Sequence, residues 1–96
     1  MIYLEKSTRV GKKWLVKLEN GKKIHFGDKL YLDYTQNNND EQRKQNYINR
    51  HQTREDWNDM ETAGFWSRWL LWNLPSINES IKDIERRYRV KIVKKK

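Results

Sequence analysis

The stretch Thr62-Ala-Gly-Phe-Trp-Ser-Arg-Trp-Leu-Leu-Trp-Asn73 holds three tryptophans and one phenylalanine, and no other window of the chain concentrates so much apolar area. The 96 residues around it are 35% charged, and the large side chains available for a core are five Trp, five Tyr and two Phe. A domain of this length buries a modest share of its surface, so its stability must come from a few large side chains. The segment therefore reads as a central helix, apolar around most of its circumference, with the rest of the chain folded over it. Thr62 is placed to cap it, and Ser67, Arg68 and Asn73 are its polar side chains.

Downstream, Pro75 restricts Leu74 to an extended conformation, and Ser76 with Glu79 three residues on forms a capping box. The helix that follows, Ile77 to about Arg89, places Ile77, Ile81, Ile84 and Tyr88 on one stripe, with Lys82, Asp83, Glu85, Arg86 and Arg89 on the other face. Val90-Lys-Ile-Val93 alternates as an edge strand and runs into the basic tail Lys94-Lys95-Lys96. Upstream, Lys13–Leu18 and Lys22–Phe26 flank Asn20-Gly21, a dipeptide suited to the positive φ of a tight hairpin turn. Ile2–Lys6 is a further strand beside it. Gly27-Asp28 interrupts the pattern, and Leu30 to Tyr34 is an extended piece or ordered loop. Gln36–Asp40 is a loop from which Asn39, with Gln42 in the capping-box position, starts a helix reaching about Arg54. Only Tyr47 and Ile48 are apolar there, so the helix rests on the core by a narrow stripe. Trp57 anchors the turn beyond it.

These elements predict an α+β fold, with a small antiparallel sheet from the N-terminal hairpin and the C-terminal strand packed by about three helices. The chain forms one domain, 1–96, divided into a hairpin region (1–35), a helical region (36–89) and a strand with basic tail (90–96). The absence of Cys leaves no disulfide and no thiolate metal site, and fits a reducing compartment. Met1-Ile-Tyr-Leu-Glu-Lys lacks the apolar stretch of a signal peptide, so an intracellular setting and no membrane partner are expected.

The net charge is +8. Residues 1–30 carry 8 basic against 3 acidic groups, 31–62 carry 4 against 7, and 63–96 carry 9 against 3. A basic excess at both ends of the chain points to a polyanionic partner if those ends share a surface. Within the middle, Arg43, Tyr47, Arg50 and Arg54 fall four, three and four apart on one helix face, a spacing that suits phosphate contacts with an aromatic between them for stacking. Lys12, Lys13, Lys22 and Lys23 on the hairpin, and Lys94, Lys95 and Lys96 at the end, form a second basic set. No zinc finger, recognition-helix turn or RNA-binding sheet signature is present, so sequence-specific readout is not expected.

Catalytic and metal-ligating patterns are sparse. His25 and His51 are the only imidazoles. Without a His-x-x-x-His or paired carboxylates on one helix, they read as structural residues, His25 partly buried between strands and His51 closing its helix. Only their convergence with Asp33, Glu55 or Asp56 would make a metal-dependent nuclease. No nucleophile elbow, dinucleotide fingerprint or P-loop occurs, so no catalytic residue and no cofactor are assigned. Asp33 reads as a turn lock, accepting bonds from Arg68 or from backbone N–H groups.

The order Phe26-Gly27, Asp33-Tyr34-Thr35, Arg43 to Arg50-His51, Trp57-Asn58, Thr62-Ala63-Gly64, Ser67-Arg68-Trp69 and Leu71-Trp72-Asn73 resembles a family of short uncharacterised proteins of large double-stranded DNA viruses, some phages and algae. The resemblance covers about two-thirds of the chain. It departs at Asn38-Asn39-Asp40, where that family commonly has His-Lys-Asp. It implies a viral or phage-like origin, with a virion, nuclear or cytoplasmic setting, and carries no established activity. Together with the charge pattern it leads to an expected function: sequence-tolerant binding of DNA or RNA in genome packaging or nucleoid organisation. A structural or adaptor role in a virion or larger assembly is the alternative, and a metal-dependent nuclease the third.

Overall fold

A computed structural model describes residues 1–95; Lys96, one of the tail cations expected to bind, lies outside the described residues. Strands β1 (Ile2–Lys6), β2 (Lys12–Lys17), β3 (Lys23–Asp28) and β4 (Ile92–Lys94) form one sheet in the order β3-β2-β1-β4. The helices are α1 (Glu41–His51), α2 (Ala63–Trp66), which continues into a π-helical turn at Ser67–Leu71, and α3 (Ile77–Tyr88). The fold is α+β.

Period-two alternation puts most of the apolar strand residues on one side of the sheet, while buried Leu15 lies on the other, opposite Glu5 and His25. Leu4 lies opposite Val16, Val16 opposite Ile24, Trp14 opposite Phe26 and Ile2 opposite Ile92. That face packs on Phe65, Trp66, Leu70 and Leu71 of the aromatic segment and on Ile81 and Ile84 of α3. Phe65, Trp66 and Leu70 are fully buried, so the Trp-rich segment occupies the centre of the core.

The β2–β3 turn closes with Leu18 N–H donating to Lys22 O at 2.9 Å and Gly21 N–H to Leu18 O at 3.0 Å. Gly21, at φ +87°, is the one residue of the turn with positive φ. Asn20 instead accepts from Lys22 N–H at 3.0 Å through its side chain, so the Asn-Gly pair makes a three-residue connection with a left-handed glycine. The sheet is mixed where an antiparallel one was expected. β1 and β2, and β2 and β3, are antiparallel, but the chain returning from α3 lays β4 parallel to β1.

Helix starts follow their side-chain acceptors. Thr62 Oγ1 accepts from Phe65 N–H at 3.2 Å, and Ser76 Oγ from Glu79 N–H at 3.1 Å, as their spacings require. The start of α1 differs by one residue from expectation. Asp40 is the cap, accepting from Gln42 and Arg43 N–H, whereas Asn39 sits at φ +56° and donates its amide to Tyr34 O and Pro75 O. α1 also stops at His51, and Arg54 lies in the turn beyond it. The π turn is closed by Trp72 N–H to Ser67 O at 3.1 Å.

Asp83 stands on what the stripe of α3 marked as its outer face, yet it is 5% exposed. The Asn73 amide donates to it at 2.8 Å, and Arg86 and Arg87 pair with it at 2.6 and 3.0 Å. Burial alone would raise its pKa, but these donors outweigh that effect and hold the carboxyl below its ordinary value. A depressed folded-state pKa stabilises the protein above the unfolded value, about 3.9, and that contribution is lost as pH falls through the folded value. Wild type should therefore exceed Asp83→Asn in stability at neutral pH, with the gap closing below about pH 4. Urea midpoints measured across this range would contradict the assignment if the gap were the same at both ends.

Candidate functional site

Tyr47 is the hinge on which the site is built. It points inward, 7% exposed, and stacks between rings: its centroid is 4.7 Å from Trp72, 4.4 Å from His51 and 6.4 Å from Trp57. This corrects its expected role, because a ring already sandwiched has no free face for a base. Burial, with the Glu55 charge nearby, pushes its phenol well above the ordinary value, so it stays neutral. α1 is also tied to the core by Lys44, whose ammonium donates to Asn73 O at 2.6 Å over the Tyr34 ring, and by Tyr34 Oη–H to Glu41 at 3.0 Å.

These anchors hold α1 on the aromatic segment, across a gap from the end of the hairpin. A cleft of about 970 Å³ is left between them. One wall is the end of the hairpin, with Lys12, Gly27, Asp28 and Tyr31; the other is the face of α1 carrying Arg43, Asn46, Asn49 and Arg50. Gly64, Ser67 and Trp72 form its floor. Gly27 lets β3 enter this wall: its φ is +82°, and a Cβ there would stand 2.9 Å from Leu71 and 3.2 Å from Lys13.

The cleft is cationic. Among the described residues no acid pairs with Lys12 or Arg50, and Arg43 has only a loose contact with Asp40 at 3.7 Å, both side chains well exposed. Such a surface pair leaves the guanidinium available. Of the acids at the cleft, Glu55 is engaged by His51 Nδ1 at 2.5 Å and lies against Gly64 where a methyl group would stand, and Asp28 accepts from Leu30 N–H. The amides are oriented too. Gln42 donates to the Asn46 carbonyl and Gln45 to that of Asn49, each at 3.0 Å, which leaves the two Asn NH₂ groups as unused donors.

Of the other expected cations, Lys13 also lines the cleft and the rest fall elsewhere. Lys13 is committed to structure: its ammonium, in a side chain 11% exposed, donates to Asp33 at 2.8 Å and to Tyr31 O and Gln36 Oε1 at 2.6 Å. Asp33, 2% exposed, also accepts from Thr35 N–H, so it is a turn lock whose cation is Lys13 and not Arg68. Arg68 donates to Trp72 O at 2.6 Å with its guanidinium 4.5 Å from the Trp69 ring centre. Arg54 does not line the cleft. Lys22 pairs loosely with Glu61 at 3.5 Å at the opposite end of the hairpin, beside Lys23. Lys94 ends β4, at the sheet edge opposite β3, and Lys95, which follows it, is 4.0 Å from Glu5 and over the Tyr3 ring. The two chain ends do meet, but the cations there do not join the cleft.

The histidines are apart. His25 Nδ1 bonds Ser7 Oγ at 2.7 Å, and burial with the Arg9 and Lys23 charges lowers its pKa. Among the described residues no group of three His, Asp or Glu side chains could hold a metal ion, and no helix is long and apolar enough to cross a membrane.

Tyr31 was not singled out by sequence. It lines the cleft and is 67% exposed, with Leu30 at 87% and Leu32 at 58% beside it. Three large apolar residues in a row on a loop are a signal that could have found it, since burial would otherwise be their default.

Residues 2–51, just over half of the chain, match the model of a family described as of unknown function, DUF5754. The match takes in both walls of the cleft and ends at His51, before the floor. No curated protein and no solved structure matches the chain.

Proposed function

We infer the function of this chain, which belongs to the DUF5754 family of unknown function, from the cleft itself: sequence-tolerant binding of nucleic acid between α1 and the hairpin. The observation that carries the reading is that Lys12, Arg43 and Arg50 line one cleft and, among the described residues, make no ion pair closer than the 3.7 Å contact of Arg43 with Asp40, beside the amide donors of Asn46 and Asn49. Guanidinium, ammonium and amide donors serve phosphate and sugar oxygens, and such contacts position a nucleic acid without reading its sequence. Genome packaging or nucleoid organisation, in a virion or inside an infected cell, is the setting we attach to this activity.

The test is the salt dependence of binding to unrelated oligonucleotides. Each lost phosphate contact lowers the magnitude of the log K against log salt slope by about 0.9 on duplex DNA and about 0.7 on single strands. Lys12, Arg43 and Arg50 all replaced by Gln should thus reduce it by roughly 2–3 and weaken all sequences by similar factors. Lys94→Gln with Lys95→Gln, on the opposite sheet edge, should leave the slope unchanged. If wild type fails to bind at about 50 mM salt, where non-specific complexes are strong, the nucleic-acid reading fails. A role in protein assembly then takes its place, for which the exposed Val10, Leu30 and Leu32 are the supporting surface.

A further inference from the structure

We propose that the cleft selects single-stranded over duplex nucleic acid, with an unpaired base stacked on Tyr31 and the backbone lying between Lys12 and the Arg43–Arg50 face of α1. This rests on the nucleic-acid reading above and adds to it the form of the ligand.

Three observations lead there. The first is Tyr31 itself. Its backbone is held on both sides, by its N–H to Asp28 O at 3.3 Å and by Lys13 Nζ to its carbonyl at 2.6 Å, while the side chain is largely in solvent. An aromatic ring on a fixed backbone is a pre-ordered platform, and stacking on it loses less entropy than on a mobile loop. Leu30 and Leu32 flank it with further apolar surface that water now covers.

The second observation is the placement of charge. Lys12 and Tyr31 come from the hairpin side, and Arg43 and Arg50 from the helix side, of one cleft. A strand inserted between the walls can meet cations on both sides at once. A duplex presents its phosphates on a convex surface, so it would reach the lips of such a cleft without filling it. A stacked base on Tyr31 also needs a free face, which paired bases do not offer.

The third is size and chemistry. About 970 Å³ is at the upper end of the roughly 300–1,000 Å³ typical of ligand clefts, a scale suited to a short run of nucleotides. The NH₂ groups of Asn46 and Asn49 are donors that carbonyl and ring-nitrogen acceptors on unpaired bases, as well as phosphates, can use.

The experiment compares a labelled mixed-sequence oligonucleotide, single-stranded and as a blunt duplex, by fluorescence anisotropy across a salt series. Wild type should prefer the single strand. Tyr31→Ala should weaken single-strand binding by roughly five- to one-hundred-fold with an unchanged salt slope, because stacking is lost and no phosphate contact is, and should leave duplex binding as it was. Tyr31→Trp should restore it. Near-UV circular dichroism checks that each variant is folded, as the exposed ring leads us to expect. Equal wild-type affinity for both forms, or a Tyr31→Ala variant that binds single strands as wild type does, overturns the proposal. If the Lys12, Arg43 and Arg50 replacements still reduce the slope in that case, the nucleic-acid reading stands and the single-strand inference alone fails. Absence of binding to either form removes both.

Discussion

Trp66→Ala should leave the chain largely unfolded under conditions where wild type is stable. Trp66 is fully buried in the core, its ring meets Phe65 edge-on at 5.0 Å, and Phe65 in turn meets Tyr88 at 5.1 Å. Removing a buried indole from a core costs about 3–5 kcal/mol. The Trp66 Nε1–H to Met60 O bond at 2.8 Å is lost with it. A domain of this length has roughly 5–14 kcal/mol in all, so one substitution removes much of its stability. Trp69 is a lesser case. It is half-buried, with its Nε1–H on Trp57 O and the Arg68 and Arg87 guanidinium groups over its ring, so Trp69→Ala should cost less than Trp66→Ala. Denaturant midpoints of the two variants decide the matter. A Trp66→Ala protein with a wild-type midpoint would mean that the aromatic segment is not the centre of the core, and Trp66→Phe, which retains most of the volume, provides a folded intermediate for comparison.

What was legible in the sequence was what local chemistry determines. Ser76 and Thr62 cap their helices because an acceptor three residues before an N–H is a local matter, and the stripe from Ile77 to Tyr88 faces the core because period and apolarity agree. Asn20-Gly21 marked the hairpin for the same reason. The misread positions depend on distant partners. Asn39 has the composition of a cap, but its amide is used by Tyr34 and Pro75, the latter 36 residues away, and Asp40 takes the cap instead. Tyr47 and Ile48 are adjacent, so the pattern of α1 could not say which one its neighbours would enclose; Trp57 and Trp72 chose Tyr47 and turned the arginines Arg43 and Arg50 to the cleft. Asp33 was correctly read as a lock, but its cation comes from a strand 20 residues earlier. The candidate site was thus half legible: its helix-borne cations were visible as a spacing, while its opposite wall and Tyr31 arise only once the hairpin and α1 are set on the same aromatic segment.

Lys13→Met should destabilise the protein by about 3–5 kcal/mol, the cost of leaving a buried partner charge uncompensated. The two residues are 2.8 Å apart in side chains 11% and 3% exposed, and the same ammonium holds Tyr31 O and Gln36 Oε1, so it closes the loop that carries Tyr31 onto the hairpin. Asp33→Asn added to Lys13→Met should recover part of the loss, since it removes the orphaned charge while keeping an acceptor for Thr35 N–H. In wild type the same Asp33→Asn change should be destabilising, and this reversal of sign is what an ion pair requires and two independent surface residues would not give. The pair of neighbours Lys12 and Lys13 then separates structure from binding. Lys12→Gln should keep the unfolding midpoint and lower the salt slope on nucleic acid, whereas Lys13→Met should lower the midpoint, and any loss of binding should come from displacement of Tyr31, appearing as weaker single-strand affinity with the slope retained. A Lys13→Met variant as stable as wild type, with a reduced salt slope, would instead return Lys13 to the set of phosphate-contacting cations and deny the Asp33 pair its structural role.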